Sequence, residues 1–346
     1  MAENQFGLLV TDEEKRPNRH ISSHLFSRAT IFHPSPTYTP WMLERMAGRL
    51  ESDLNKPLSS VEFPLFSKNF RVDLHGDFLL QSHKDLLETI IAYAKTIKLD
   101  DESYAAGERL TWKAIFKALP ELQVVGSGLE FDSVLDPDAT VFSIGLYELA
   151  GWLSVKPDRV NYDLIEKRIF QLSMARLVVN EINDDGQIVD VNPIKFVDDF
   201  RLCYDSSKNK NGKGSRSTNH VFLVLDRRLI DAILNYGYYY RIEQHKIMHY
   251  RSPALRSFLK WIKTHEPQYL NGKKLAWTLA EYAKSVASPV GANFLRNLKE
   301  QVLSNVAEIE ADFHFSIRKH SFDEEQIFYV GTGNNNGEGG LLNAKP

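Results

Sequence analysis

At 346 residues, with 43% hydrophobic and 25% charged side chains, the chain has room for two domains and the composition of an ordinary globular protein. No apolar run approaches the ~20 residues that cross a bilayer, and residues 1–16 are polar and acidic rather than signal-like, so a cytoplasmic protein without membrane contact is expected. The single cysteine, Cys203, excludes an intrachain disulfide and a multi-cysteine metal site; the net charge of −3 hides an uneven distribution. Residues 1–200 hold 21 Lys and Arg against 31 Asp and Glu, a net of −10, whereas residues 201–330 hold 20 against 13, a net of +7. Such asymmetry points to a polyanion-binding half joined to an acidic one.

In chain order, residues 1–58 read as an arm interrupted by Pro17, Pro34, Pro36 and Pro40, with a short helix or docking segment over 21–32 carrying Leu25, Phe26, Ala29 and Phe32. A first domain is expected over 59–200. Leu79, Leu86, Leu87, Ile90, Ile91 and Ala94 recur at helical spacing within 78–97, and a shorter helix spans 110–119. A short helix over 143–153 with Ser143 as N-cap then leads through Lys156, Pro157 and Asp158 to a longer one over 161–175, aligned on Ile165, Ile169 and Leu172. Residues 177–182 and 187–191 form a hairpin around Asp185-Gly186. That order is a helix-turn-helix with a wing.

Residues 201–218 read as a basic linker or loop, since 206–218 lack any large apolar side chain and carry Lys208, Lys210, Lys213 and Arg216 with no acid. A second domain is expected over 219–330, opening with a strand at 220–225 and a helix from Arg227. The helix 253–265 has Leu255, Phe258, Leu259 and Ile262 on its apolar side and Arg256, Lys260 and Lys263 on the other. A short helix over 275–283, a turn over 285–291, a long helix over 292–309 and a two-stranded ribbon over 313–330 complete a second winged unit, before a Gly/Asn-rich tail, 331–346, expected to be disordered. The expected fold is therefore α+β, mainly helical, with two tandem winged helix-turn-helix domains.

The helix 292–309 carries the candidate chemistry. Leu295, Leu298, Val302, Val306 and Ile309 make its buried stripe, which leaves Asn293, Arg296, Asn297, Glu300, Gln301 and Ser304 outward. Arg, Asn and Gln bond paired acceptors or donors on base edges, so Asn293, Arg296, Asn297 and Gln301 are candidates for base readout, although a solvated helix face has the same look. Arg251, Arg256, Lys260, Lys263, Lys273 and Lys274, with Arg318 and Lys319 in the wing, are candidate phosphate contacts beside the four basic residues of 206–218. In the first unit the matching helix exposes Asp163, Glu166, Lys167 and Gln171, a mixed face suited to auxiliary DNA contact through Lys167 and Gln171 or to protein contact.

Enzymatic motifs fail. His245 and His249 stand four apart without the Glu or third ligand of a metalloprotease, and Gly212-Lys213 and Gly272-Lys273 lack the first glycine of a phosphate loop. No cofactor and no metal site are expected, and Tyr236, Tyr238, Tyr239 and Tyr240 read as packing residues.

The segment HISSHLFSRATIF, the stretch VFSIGLYELAGWLSV with YDLIEKRIFQLSMARLVV, and HVFLVLDRRLIDAI followed by YRSPALRSFLKWIKTH resemble the TrfA-like plasmid replication initiators, iteron-binding Rep proteins with two winged-helix domains. The resemblance implies a C-terminal winged helix reading direct repeats at a plasmid origin through Asn293, Arg296 and Asn297, and an N-terminal one that assists DNA contact and self-association to a dimer. It also implies origin melting and recruitment of the host initiator, replicative helicase and sliding clamp, the last through Gln5-Phe6-Gly7-Leu8-Leu9, where Gln5, Leu8 and Leu9 match a clamp-binding peptide. The acidic first half departs from that pattern. The expected function is thus a non-enzymatic initiator; the alternatives are a winged-helix transcriptional repressor and a nicking or relaxase-type enzyme using one of the tyrosines in 236–240.

Overall fold

The computed structural model describes residues 8–11, 21–48, 56–65, 68–118, 134–204, 218–230, 239–265, 276–313, 315–319 and 327–331. In chain order these form β1 (Leu8–Thr11), β2 (Ile21–Ser23), α1 (His24–Arg28), β3 (Phe32–His33), α2 (Pro40–Ala47), β4 (Ser59–Leu65), β5 (Lys68–His75), β6 (Leu79–Leu80) and α3 (Gln81–Tyr93). Next come β7 (Lys95–Leu99), α4 (Asp101–Ala105), α5 (Trp112–Ala118), β8 (Val141–Gly145), α6 (Leu146–Trp152), α7 (Arg159–Met174), β9 (Arg176–Ile182), β10 (Ile188–Lys195), β11 (Val197–Tyr204), β12 (Thr218–Leu225) and α8 (Arg227–Ile230). The remainder is β13 (Tyr239–Arg241), α9 (Gln244–His249), α10 (Pro253–Lys263), β14 (Ala276–Thr278), α11 (Leu279–Lys284), α12 (Phe294–Ser304), α13 (Val306–Phe313), β15 (Phe315–Lys319) and β16 (Ile327–Gly331). Strand content corrects the expectation of a mainly helical protein: this is a mixed α/β chain with several antiparallel sheets.

Local chemistry sets the helix starts. Thr39 and Ser252 cap α2 and α10, each followed by a proline whose fixed φ suits the first helical position. Asp158 caps α7, and Thr278 with Glu281 forms a capping box on α11. At α3 the His83 ring accepts from the Leu80 amide at 2.9 Å and its other nitrogen faces Gln171 Oε1 at 3.0 Å; burial lowers its pKa to about 4, so the ring is neutral. The expected helix 78–97 stops at Tyr93 and continues as β7, and Ser143 lies in β8 bonded to His220 rather than capping α6.

Among the described residues the first unit holds two larger sheets besides the short parallel pair β3–β6. One has the order β1-β7-β8-β12-β11, the other β10-β9-β5-β4. The hairpin β9–β10 turns where expected, with Gly186 at a φ of 78° that favours glycine. It pairs with β5, however, and not with the strand that leads into α6, so the first expected winged unit does not close as one sheet. The expected linker also changes meaning. β11 and β12, on either side of residues 205–217, are antiparallel neighbours in one sheet, and Val221, Leu223, Leu225 and Leu229 belong to the first core. The division between cores falls after α8, not at 201–218, and the segment from β2 to β3 is no free arm, because Phe26, Ala29, Ile31 and Phe32 are buried.

The second core is built by α9 to α13 with the sheet β14-β16-β15. Where the two units meet, α10 lies against α3 and charges face each other. Lys260 Nζ donates to Asp85 Oδ1 at 2.8 Å and to Glu88 Oε2 at 2.5 Å, and Arg256 Nε donates to Asp85 Oδ2 at 2.9 Å. Lys260 is 0% exposed. Ser22 from β2 donates to Glu88, and Lys84 Nζ donates to Ser27 Oγ at 2.5 Å. Burial alone would raise the Asp85 pKa, but the Lys260 ammonium and Arg256 guanidinium hold it down at about 2; burial would lower that of Lys260, and the two carboxylates raise it.

Removing one member strands the opposite charge in a dry place. Lys260→Met is expected to cost about 3–5 kcal/mol in urea unfolding, and a loss below about 1 kcal/mol would show that the cluster does not join the units. The lowered Asp85 pKa stabilises the fold above its unfolded value of about 4, a contribution lost as pH falls toward about 2. An acid titration of stability in wild type but not in Asp85→Asn checks it.

Candidate nucleic-acid interface

The unit from α10 to β16 runs helix, strand, helix, turn, two successive helices, hairpin, with β16 paired between β14 and β15. α11 and α12 pack through Tyr282 and Phe294, and α12 buries Leu298 and Val302. The expected helix 292–309 is in fact two. It breaks at Asn305, whose side-chain amide donates to the Gln301 carbonyl at 2.7 Å, and restarts as α13 with Ile309 buried. Leu295, expected in the buried stripe, is 38% exposed.

Asn293, Arg296 and Asn297 are brought together on the outer face at the start of α12, with Glu300 beside them, all exposed. Gln301 is not with them: its Oε1 accepts a short hydrogen bond from Ser252, the cap of α10, so it is tied to the fold. Between α12 and α10 runs a groove of about 790 Å³, lined by Pro34, Ser35, Arg251, Asn297, Asn305 and Glu308 among others. Arg251 is exposed at its edge. His249, exposed, lies 3.8 Å from Glu308, and His245 lies 3.5 Å from Glu243.

The expected phosphate contacts divide. Arg251 is exposed and Lys263 half-buried, but Arg256 and Lys260 are consumed by the buried cluster and leave no surface for a phosphate. Arg318 and Lys319 lie on β15 opposite Phe328 and Ile327. Lys208, Lys210, Lys213, Arg216, Lys273 and Lys274 fall outside the described residues. With the boundary moved, the basic half shrinks: residues 239–331 carry 13 Lys and Arg against 10 Asp and Glu, a net of +3. Lys284, exposed at the end of α11, was missed; its place one step before the turn was the available signal.

In the first unit, Lys167 is exposed on α7, whereas Gln171 is half-buried, its amide 2.5 Å from the Tyr38 hydroxyl and its oxygen on His83. It is a structural residue, not a DNA contact. The outer face of α7 exposes Val160, Leu164 and Met174 around Asp163 and Lys167, a mixed apolar and charged surface. The expected clamp-binding peptide is also corrected. Gln5 lies outside the described residues, Leu9 is exposed, and Leu8 is buried in β1, paired with Leu99 of β7 and packed in the third core with Trp112 and Phe222. Cys203 lies half-buried on β11, and burial pushes its thiol up to about 11, away from nucleophile chemistry. Among the described residues, no helix is long and apolar enough to cross a membrane.

The fold is similar to a crystal structure of domains 2 and 3 of RctB, with a TM-score of 0.51 and 7% identity, covering 90% of this chain and 98% of that one. A second crystal structure of RctB domains 2–3 gives a TM-score of 0.45 and 9% identity, covering 90% and 97%. No family model and no curated protein matches the sequence. The likeness lies in the fold, and nothing in it is specific to the TrfA-like proteins that the sequence resembles.

Leu8 distinguishes a core strand from a free docking peptide. Leu8→Ala is expected to lower stability by about 2 kcal/mol in thermal or urea unfolding; an unchanged midpoint would return the segment to the role of a partner peptide.

Proposed function

We propose that this chain is a replication initiator that binds direct repeats at a plasmid origin through a winged helix-turn-helix made by α10 to β16. The observation that carries the reading is the sheet order β14-β16-β15 around α11 and α12, the winged-helix arrangement in which the helix after the turn enters the major groove. The likeness to domains 2 and 3 of RctB supports the fold on which this reading is built, and the DNA-binding role is read from the helices and sheet themselves. On this reading Asn293, Arg296 and Asn297, exposed at the start of that helix, read base edges, and the exposed Arg251 and Lys284 hold phosphates. The protein acts by binding and deforming DNA, without bond chemistry, so as to open the adjacent origin for the host initiator and helicase.

The first unit serves assembly. β10 is an edge strand, and its Ile188, Val189 and Val191 are exposed, Val189 at 57%. An edge strand with an apolar surface is a template for pairing with a second copy. Val189→Lys with Val191→Lys is expected to turn the dimer into a monomer in sedimentation equilibrium; an unchanged mass would place self-association elsewhere.

For the reading helix, Arg296→Ala is expected to cost about 1–3 kcal/mol on the repeats and to relax sequence preference, while Arg251→Ala weakens all sequences and flattens the salt slope by about one unit. Fluorescence anisotropy over a salt series measures both. Equal losses on repeat and random DNA for Arg296→Ala would remove that residue from base readout.

A further inference from the structure

The turn between α11 and α12 does not stand on its own unit. Thr30, between α1 and β3, donates its amide to the Ser285 carbonyl at 3.0 Å, and its own carbonyl accepts from the Ala287 amide at 3.0 Å. The two residues bracket Val286, which forms a parallel bridge with Thr30, and the hydroxyls of Thr30 and Ser285 lie 3.1 Å apart. Three residues on, His33 Nε2 faces the Pro289 carbonyl at 3.3 Å; burial lowers this ring's pKa to about 4, so it is neutral. Thr30 and His33 are each 3% exposed.

The other end of this strap is anchored in the first core. Phe26 and Phe32 each pack on Phe196 at a centroid distance of 5.4 Å and lie 5.9 Å from each other, and Phe32 and His33 pair in parallel with Leu79 and Leu80, the residues leading into α3. Arg28 donates from Nε to Thr264 Oγ1 at 2.7 Å and from Nη2 to the Thr264 carbonyl at 2.9 Å, which fixes the strap to the end of α10 as well. The turn it holds lies at the seam: Val286 packs against the second core and Ala287 against the first. Pro34 and Ser35 then continue as one wall of the groove beside α12.

We infer that Thr30 and His33 are positioning residues for α12: the angle at which the DNA-reading helix is presented is set by the first unit through this strap, and not by the winged unit alone. The inference rests on the reading of α12 as the helix that meets DNA. A helix whose preceding turn is held at Ser285, Ala287 and Pro289 by residues rooted in another core keeps its bearing only while that strap is seated. Sequence discrimination, which needs base-edge geometry, then depends on the strap far more than does binding to phosphates.

The test uses the full chain with Thr30→Val, which removes only the side-chain hydroxyl contact, and with His33→Ala, alone and combined. Two measurements are made on each: amide hydrogen exchange, and affinity for repeat against random DNA. The combined variant is expected to exchange at Ala287 and across 294–298 about tenfold faster, with the repeat-to-random affinity ratio down about fivefold and random-DNA affinity within about twofold of wild type. Unchanged exchange overturns the inference. So does an unchanged ratio in a protein whose wild type discriminates, or a parallel fall on both DNAs, which would mean simple loss of fold. If the wild type shows no preference for any sequence, the initiator reading fails instead; faster exchange reaching 294–298 then still supports the strap, and exchange confined to 285–289 contradicts it.

Discussion

The meeting of Lys260 with Asp85 and Glu88 decides how the rest of the molecule is arranged. Three cations (Lys84, Arg256 and Lys260) and two carboxylates lie buried between α3 and α10: Arg256 and Lys260 find their carboxylates on the opposite unit, while Lys84 is held by Glu88 on its own helix and by Ser27. A buried cluster of this kind contributes little net stability compared with an apolar interface, but it is demanding about geometry: separate the units and Arg256, Lys260 and Asp85 lose their ion-pair partners. The two cores therefore share a polar, directional joint, and α3 is a helix enclosed on its charged side as well as its apolar one.

That joint explains which parts of the fold were legible. Local signals read well at the Asp-Gly hairpin and the stripe Leu255, Phe258, Leu259 and Ile262 on α10, but not at Ser143, the expected cap, which lies in β8. What local pattern lacks is the partner. On α10, Arg256 and Lys260 have the spacing of a solvated basic face, and the carboxylates that claim them stand more than 170 residues earlier. The same gap misplaced the domain boundary. Residues 206–218 have linker composition, yet β11 and β12 on either side pair with each other and carry the first core past residue 225. The break at Asn305 was legible in principle, since asparagine competes with the helix ladder by bonding a carbonyl four residues back.

At the candidate interface Asn293, Arg296 and Asn297 stay exposed at the start of α12, but the charge surrounding them is weaker than the half-chain count implied. Two of the basic residues expected to hold phosphates hold the protein together, and Gln301 and Gln171 are hydrogen-bonded into the fold. The net charge of residues 239–331 is only +3, and that count includes the buried Arg256 and Lys260, so on the proposed reading shape and base edges matter more than broad electrostatic attraction. Recognition of that kind depends on how rigidly α12 is held, which links the interface back to the joint between units and to the segment that crosses it.

The most direct measurement is hydroxyl-radical footprinting of the intact protein on the DNA that flanks its gene. The account predicts a series of evenly spaced, directly repeated protected sites, each lost with Arg296→Ala. No protection at low salt, or a lone palindrome protected equally well by that variant, would contradict it.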